Sequence, residues 1–218
     1  DLRPDMHQAW RDLGNTFHQL GRFKGAVAAL RRAVELRDDY RDAWLDLATV
    51  YRTERRWAEA VDAMRRVVDL APDNGMALSN LGTLLTDKGD LDAAETTLQR
   101  ARALRPDLPG VYVNLANVLT RRCRWDEAMA LYDEALQRQS DHPLARFNRS
   151  FLLLRAGNMT EGWDQFRTRW EWPEFNSYHL RARFSDAPWN GEPLDGKRIL
   201  IHYEQGSGDV IQFVRYIP

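Results

Sequence analysis

The chain has 218 residues, 31 Lys+Arg against 32 Asp+Glu, a formal net charge of −1 and 44% hydrophobic residues. Balanced charge gives no basic field for a polyphosphate, which argues against charge-driven nucleic-acid binding; 11% aromatic residues and dense aliphatics can bury a core, which argues against disorder. One cysteine, Cys123, excludes an internal disulfide and a cysteine-built zinc cage, and no apolar run reaches the ~18–20 residues that span a bilayer.

In chain order, the first feature is a period. Pro4, Pro72 and Pro106 lie 68 and 34 residues apart, with Leu2, Leu36, Leu70 and Leu104 just ahead of the period ends. Trp10, Trp44, Leu78 and Tyr112 recur at the same interval, as do Leu13, Leu47, Leu81 and Leu115, and Ala26, Ala60, Ala94 and Ala128. A further large apolar column reads Phe23, Trp57, Leu91, Trp125 and Met159. Self-similarity at this length is the mark of a repeat array.

Inside each unit two apolar stripes of helical spacing flank a short polar break, such as Thr53-Glu54-Arg55-Arg56 or Thr86-Asp87-Lys88-Gly89. Each unit is therefore predicted to be helix, tight turn, helix. The small column (Gly14, Ala48, Gly82, Ala116) and the alanine column let the paired helices approach, and the prolines stop the second helix.

This pattern resembles the tetratricopeptide repeat, which carries Trp, Leu-Gly, Tyr, Ala, Phe, Ala and Pro at fixed offsets in 34 residues. With His7 as position 1, the predicted units are 7–40, 41–74, 75–108 and 109–142, and a divergent fifth covers 143–172. The second lies nearest the motif, with Trp44, Leu47-Ala48, Tyr51, Ala60, Met64, Val67 and Pro72; the fifth departs from it at Arg146, Arg149 and Gly162. Residues 1–6 match the end of a repeat, and residue 1 is Asp rather than Met, so at least one more unit is expected upstream. The resemblance implies an all-α, right-handed α-α superhelix whose first helices line a concave surface that holds peptides.

In that family the exposed groove positions are mainly 2, 5, 6, 9, 12 and 13. Position 6 reads Asp12, Asp46, Asn80, Asn114 and Asn148, and position 9 adds Asn15, Thr49, Thr83 and Asn117. An asparagine amide carries donor and acceptor together and can pair with a peptide backbone without reading its side chain. The ladder resembles that of the O-linked N-acetylglucosamine transferase solenoid. The competing reading is solvated polar filler. A carboxylate clamp is not expected, because positions 2, 5 and 6 lack its lysine and arginine set. Arg52, Arg121 and Arg155 at positions 12 and 13 read as solvated charges.

Phe147, Phe151 and Leu154 make the inner side of the fifth unit apolar, either to bind a partner or to be buried under the segment that comes after the solenoid. Eight aromatic residues stand between Trp163 and Trp189, which reads as a packed junction, with a linker at 173–195. Then Lys197 to Tyr203 reads as a strand, Glu204-Gln205-Gly206-Ser207-Gly208-Asp209 as a glycine turn, and Val210 onward as a helix, so 196–218 is expected to be the first βα unit of a domain that continues.

The run from Trp189-Asn190-Gly191-Glu192-Pro193-Leu194 through this turn to Gln212-Phe213-Val214-Arg215-Tyr216 resembles the junction in bacterial proteins that fuse such repeats to a heptosyltransferase-like domain of GT-B fold. The resemblance implies a nucleotide-sugar-dependent glycosyltransferase in a longer protein, with Asp209 matching the proposed general base; the plainer reading has Asp209 capping the last helix. His179 and His202 have no partner at metal-ligand spacing, and no metal or cofactor is expected in this stretch itself.

Three functions are therefore expected to compete. The first is a scaffold whose groove binds a protein or extended peptide. The second is an acceptor-recruiting region of a glycosyltransferase, and the third is self-assembly through open solenoid ends. The expected setting is cytoplasmic.

Overall fold

The computed structural model describes residues 6–168. Within them lie ten α-helices and no strand: α1 (His7–Gln19), α2 (Phe23–Leu36), α3 (Arg41–Thr53), α4 (Trp57–Leu70), α5 (Gly75–Lys88), α6 (Leu91–Leu104), α7 (Pro109–Arg121), α8 (Trp125–Arg138), α9 (Pro143–Arg155) and α10 (Met159–Phe166). The predicted strand and helix after Gly196, with Gly206, Gly208 and Asp209, lie outside the described residues. The odd-numbered helices begin 34 residues apart, and each packs antiparallel on the even-numbered helix that comes next.

Every turn between paired helices is closed the same way. The N–H of Arg22, Arg56, Asp90, Arg124 or Asn158 donates to the carbonyl five residues back, at 2.8 or 2.9 Å. That closure needs a left-handed residue just before the donor: Gly21, Arg55, Gly89, Cys123 and Gly157 have φ of 68, 57, 91, 59 and 84°. It also moves a boundary. Helix α5 continues through the predicted polar break to Lys88, because Gly89 terminates it in the left-handed conformation.

Ala26, Ala60, Ala94 and Ala128 are all fully buried at the contact between paired helices. In the fifth pair Gly162 takes this place because Leu154 fills it: a β-carbon on Gly162 would stand 2.7 Å from Leu154 Cδ2. The other departures of that unit are also structural. Arg149 is anchored between Asp133 of α8 and Glu161 of α10, at 2.7 and 2.6 Å.

Successive pairs are joined by the aromatic column. Trp44 Nε1 donates to the carbonyl of Asp38 at 2.8 Å, and Tyr112 Oη to that of Pro106 at 3.1 Å. One cluster of buried side chains runs from Ala26 on α2 to Leu152 on α9. The first helices touch their counterparts in neighbouring pairs, α1 with α3, α5 with α7 and α7 with α9, while each second helix reaches the next pair through its first helix. The odd-numbered helices therefore line the inner side of an α-α solenoid.

Candidate functional site

The inner surface carries the predicted polar ladder, and the stacking of pairs decides which rungs are engaged. Three of the position-6 side chains bond to position 5 or 9 of the preceding pair. Asp46 of α3 accepts from Arg11 Nε at 2.5 Å and from Asn15 Nδ2 at 2.9 Å, both on α1. Asn114 of α7 donates to Ser79 Oγ of α5 at 3.0 Å. Asn148 of α9 donates to Asn117 Oδ1 of α7 at 2.8 Å, and the Tyr132 hydroxyl donates to the same oxygen at 2.6 Å. Burial pushes the Tyr132 phenol above its ordinary pKa, which keeps it the proton donor in this arrangement.

Asn80 differs. The preceding helix offers it Leu45, which has no polar side-chain atom, and Thr49, whose hydroxyl is already given to the Leu45 carbonyl at 3.0 Å. Asn80 is exposed and has no side-chain hydrogen bond among the described residues. Asp12, the first rung, is likewise exposed. The ladder thus has engaged rungs at Asp46, Asn114 and Asn148, with the open amide of Asn80 in the middle.

Positions 12 and 13 form a second row. Asp87 lies near Arg52 and Arg121, and partial burial raises its carboxyl pKa against the pull of both guanidiniums. Arg121 also donates to the Thr86 carbonyl, and the Arg155 guanidinium lies 4.5 Å from the centroid of the Trp125 ring. Two of the three arginines read as solvated charges are thus engaged with the protein. The partners Arg11, Ser79 and Tyr132 were not singled out from the sequence; for Arg11 and Ser79 the signal lay in the polarity of position 5 one unit earlier, whereas Tyr132 comes from the second helix of the pair that holds Asn117.

A cavity of about 460 Å³ opens elsewhere, between α2 and α4, floored by Trp44, Leu47 and Tyr51. Its Arg31 donates to the Tyr51 hydroxyl at 2.9 Å, and none of the ladder residues lines it. Among the described residues no group of three or more His, Cys, Asp or Glu is arranged to hold a metal ion, and no helix is long and apolar enough to cross a membrane.

Antiparallel helix pairs in a 34-residue register, stacked with their first helices inward, define an α-α repeat solenoid. Family models described as tetratricopeptide repeat match residues 45–109 and 85–147, and one described as TPR repeat matches 14–54. The chain is a tetratricopeptide repeat protein. Among curated proteins it is similar to FlbA of Caulobacter vibrioides, 32% identical over 97 residues; the match covers 39% of this chain and 15% of FlbA. Among solved structures it resembles MamA, with a TM-score of 0.64 and 21% identity over 84% of this chain and 97% of that one. It also resembles YrrB, described as a TPR protein with an unusual peptide-binding site, with a TM-score of 0.56 and 20% identity over 80% and 90% of the two chains.

Proposed function

We propose that this chain is a protein-interaction scaffold whose concave groove binds a protein or an extended peptide. The observation that carries the proposal is Asn80, an exposed amide on the inner surface with donor and acceptor both open, flanked by rungs that neighbouring pairs hold in place. Such an amide can bond one peptide unit of an extended chain on both its N–H and C=O sides. Each bond contributes roughly 0.5–1.5 kcal/mol net, so Asn80 sets register and side-chain contacts supply the rest. YrrB, a protein of the same fold, is described as having a peptide-binding site, which supports peptide binding as the use of this solenoid.

The test is titration calorimetry of this chain with linear peptides selected from a displayed random library, repeated on Asn80→Ala. The expected result is weaker binding by the variant of any peptide that competes for the groove. Unchanged affinity for every selected peptide would sink the ladder reading.

The finer reading rests on residues 189–216. We infer from their resemblance to repeat–glycosyltransferase junctions that the solenoid recruits a protein acceptor for a nucleotide-sugar-dependent domain, with Asp209 as its general base and a cytoplasmic setting. Binding of a nucleotide sugar by the longer protein, lost without the residues after 196, supports it; failure to bind any nucleotide sugar overturns it.

A further inference from the structure

The inner seam between α3 and α5 is looser than its neighbours. α1 touches α3, α5 touches α7 and α7 touches α9, whereas α3 and α5 make no contact of that extent. Position 5 registers the difference: Leu45 on α3 is 36% exposed, against 4% for Ser79 and 2% for Val113 on α5 and α7. In the first seam Arg11 of α1 reaches Asp42 and Asp46 of α3, at 3.7 and 2.5 Å. One unit on, Leu45 stands in the place of Arg11, and Met76 and Asn80 stand in the places of Asp42 and Asp46. Polar bonds that hold the first seam are therefore replaced by an apolar pair and an open amide.

The walls of this seam are graded along its length. At one end are Leu45 and Met76, the latter 47% exposed and one turn before Asn80 on the same face of α5. In the middle, Thr49 and Thr83 donate to the carbonyls of Leu45 and Ser79, both at 3.0 Å, so neither competes with Asn80 as a donor. At the other end Arg52, one turn beyond Thr49, is exposed and makes no hydrogen bond or ion pair among the described residues. Asp87 lies near Arg52 but near Arg121 as well, so two guanidiniums face one carboxylate there.

We propose that this seam selects an extended peptide segment carrying one apolar and one acidic side chain, the first seated on Leu45 and Met76 and the second at Arg52. The proposal rests on the reading of Asn80 as a contact to the peptide backbone, which here lies between the two side chains. Charge complementarity selects the acidic residue, because Arg52 and Arg121 repel a basic one and leave positive charge uncompensated. The Leu45–Met76 end selects an apolar residue, since a charged side chain would lose water there without gaining a partner. Leu45 and Arg52 are seven residues apart on one helix, a rise of about 10 Å that an extended chain covers in about three residues. The two selected residues are therefore separated by about three positions.

Fluorescence anisotropy with end-capped Ser/Thr peptides holding one Leu and one Glu at that spacing, in both orders, tests this. One of the two orders is expected to bind this chain, and to bind about tenfold more weakly when its Leu becomes Ser or its Glu becomes Gln. Arg52→Gln is expected to erase the preference for Glu over Gln and keep that for Leu. The double variant Leu45→Gln with Met76→Gln should do the reverse. All three residues are exposed, and an unchanged urea midpoint checks that the variants fold. Failure of both peptides to bind overturns the proposal, and so do preferences that persist in these variants. Preferences of that kind with binding still weakened by Asn80→Ala leave the backbone contact standing and remove only the selection by Leu45, Met76 and Arg52. Binding that responds to those variants but not to Asn80→Ala overturns the backbone contact on which the proposal rests.

Discussion

Leu98 stands so close to Gly82 that a β-carbon on the glycine would lie 2.4 Å from Leu98 Cγ. Gly14 and Leu30, at the same positions of the first pair, repeat the relationship at 2.6 Å. Where the small column carries Ala48 or Ala116 instead, the facing residue is Met64 or Tyr132, neither of which branches at an sp³ γ-carbon. Gly82→Ala is therefore expected to cost about 1–3 kcal/mol by overpacking. Leu98→Met should recover most of it, reproducing the Ala48–Met64 pairing. Urea denaturation of the two single variants and the double variant measures the coupling; strictly additive effects would show that the two side chains do not share the space.

The rungs of the ladder should separate by stability. Asn114 and Asn148 each donate to a side chain of the preceding pair, whereas Asn80 has no such partner. Replacing Asn114 or Asn148 by Ala is expected to cost about 1 kcal/mol, and Asn80→Ala close to nothing. Equal losses in all three would mean that exposure, not inter-repeat bonding, governs the column. This difference also makes Asn80→Ala the cleanest probe of binding, since it leaves the scaffold intact.

The sequence displayed the solenoid because its core repeats: a 34-residue period in Trp/Tyr, Leu and Ala columns is a direct image of identical helix contacts. The ladder was legible only as a column. Which rungs are occupied depends on residues 31 or 35 positions earlier, as Asn148 with Asn117 and Asn114 with Ser79 show, and a column read alone hides its neighbour. The fifth unit was legible as divergent without its reason, because Arg149 between two carboxylates and Gly162 beneath Leu154 are compensations that appear only once the helices are packed.

Cys123 holds φ at 59° in a turn where three of the five units use glycine. A left-handed non-glycine residue costs about 1–2 kcal/mol, part of which glycine returns through its greater freedom in the unfolded chain. Since Cys123 is exposed, no packing is lost with its side chain. Cys123→Gly is expected to stabilise the protein by about 0.5 kcal/mol, read from the urea midpoint at unchanged slope. A lowered midpoint would show that the thiol makes a contact that matters.

His142 is expected to make the solenoid sensitive to acid. It stands at the N-cap of α9, where its Nδ1 accepts from the Ala145 N–H at 3.3 Å, and that acceptor exists only in the neutral ring. Burial holds the imidazole below its ordinary value of 6.5, against smaller opposing contributions from its own backbone and Asp141. The depressed value sets the sign. The folded state favours the neutral ring, so the contribution is complete above pH 6.5 and fades as pH falls through the lower folded-state pKa. Loss of the cap should cost about 1 kcal/mol as pH falls below 6.5 and through the folded-state pKa. His142→Asn keeps a side-chain acceptor that does not titrate, so part of the pH dependence of unfolding should vanish in that variant. An NMR titration placing the His142 pKa above 6.5, or an unaltered pH slope in His142→Asn, would refute the assignment.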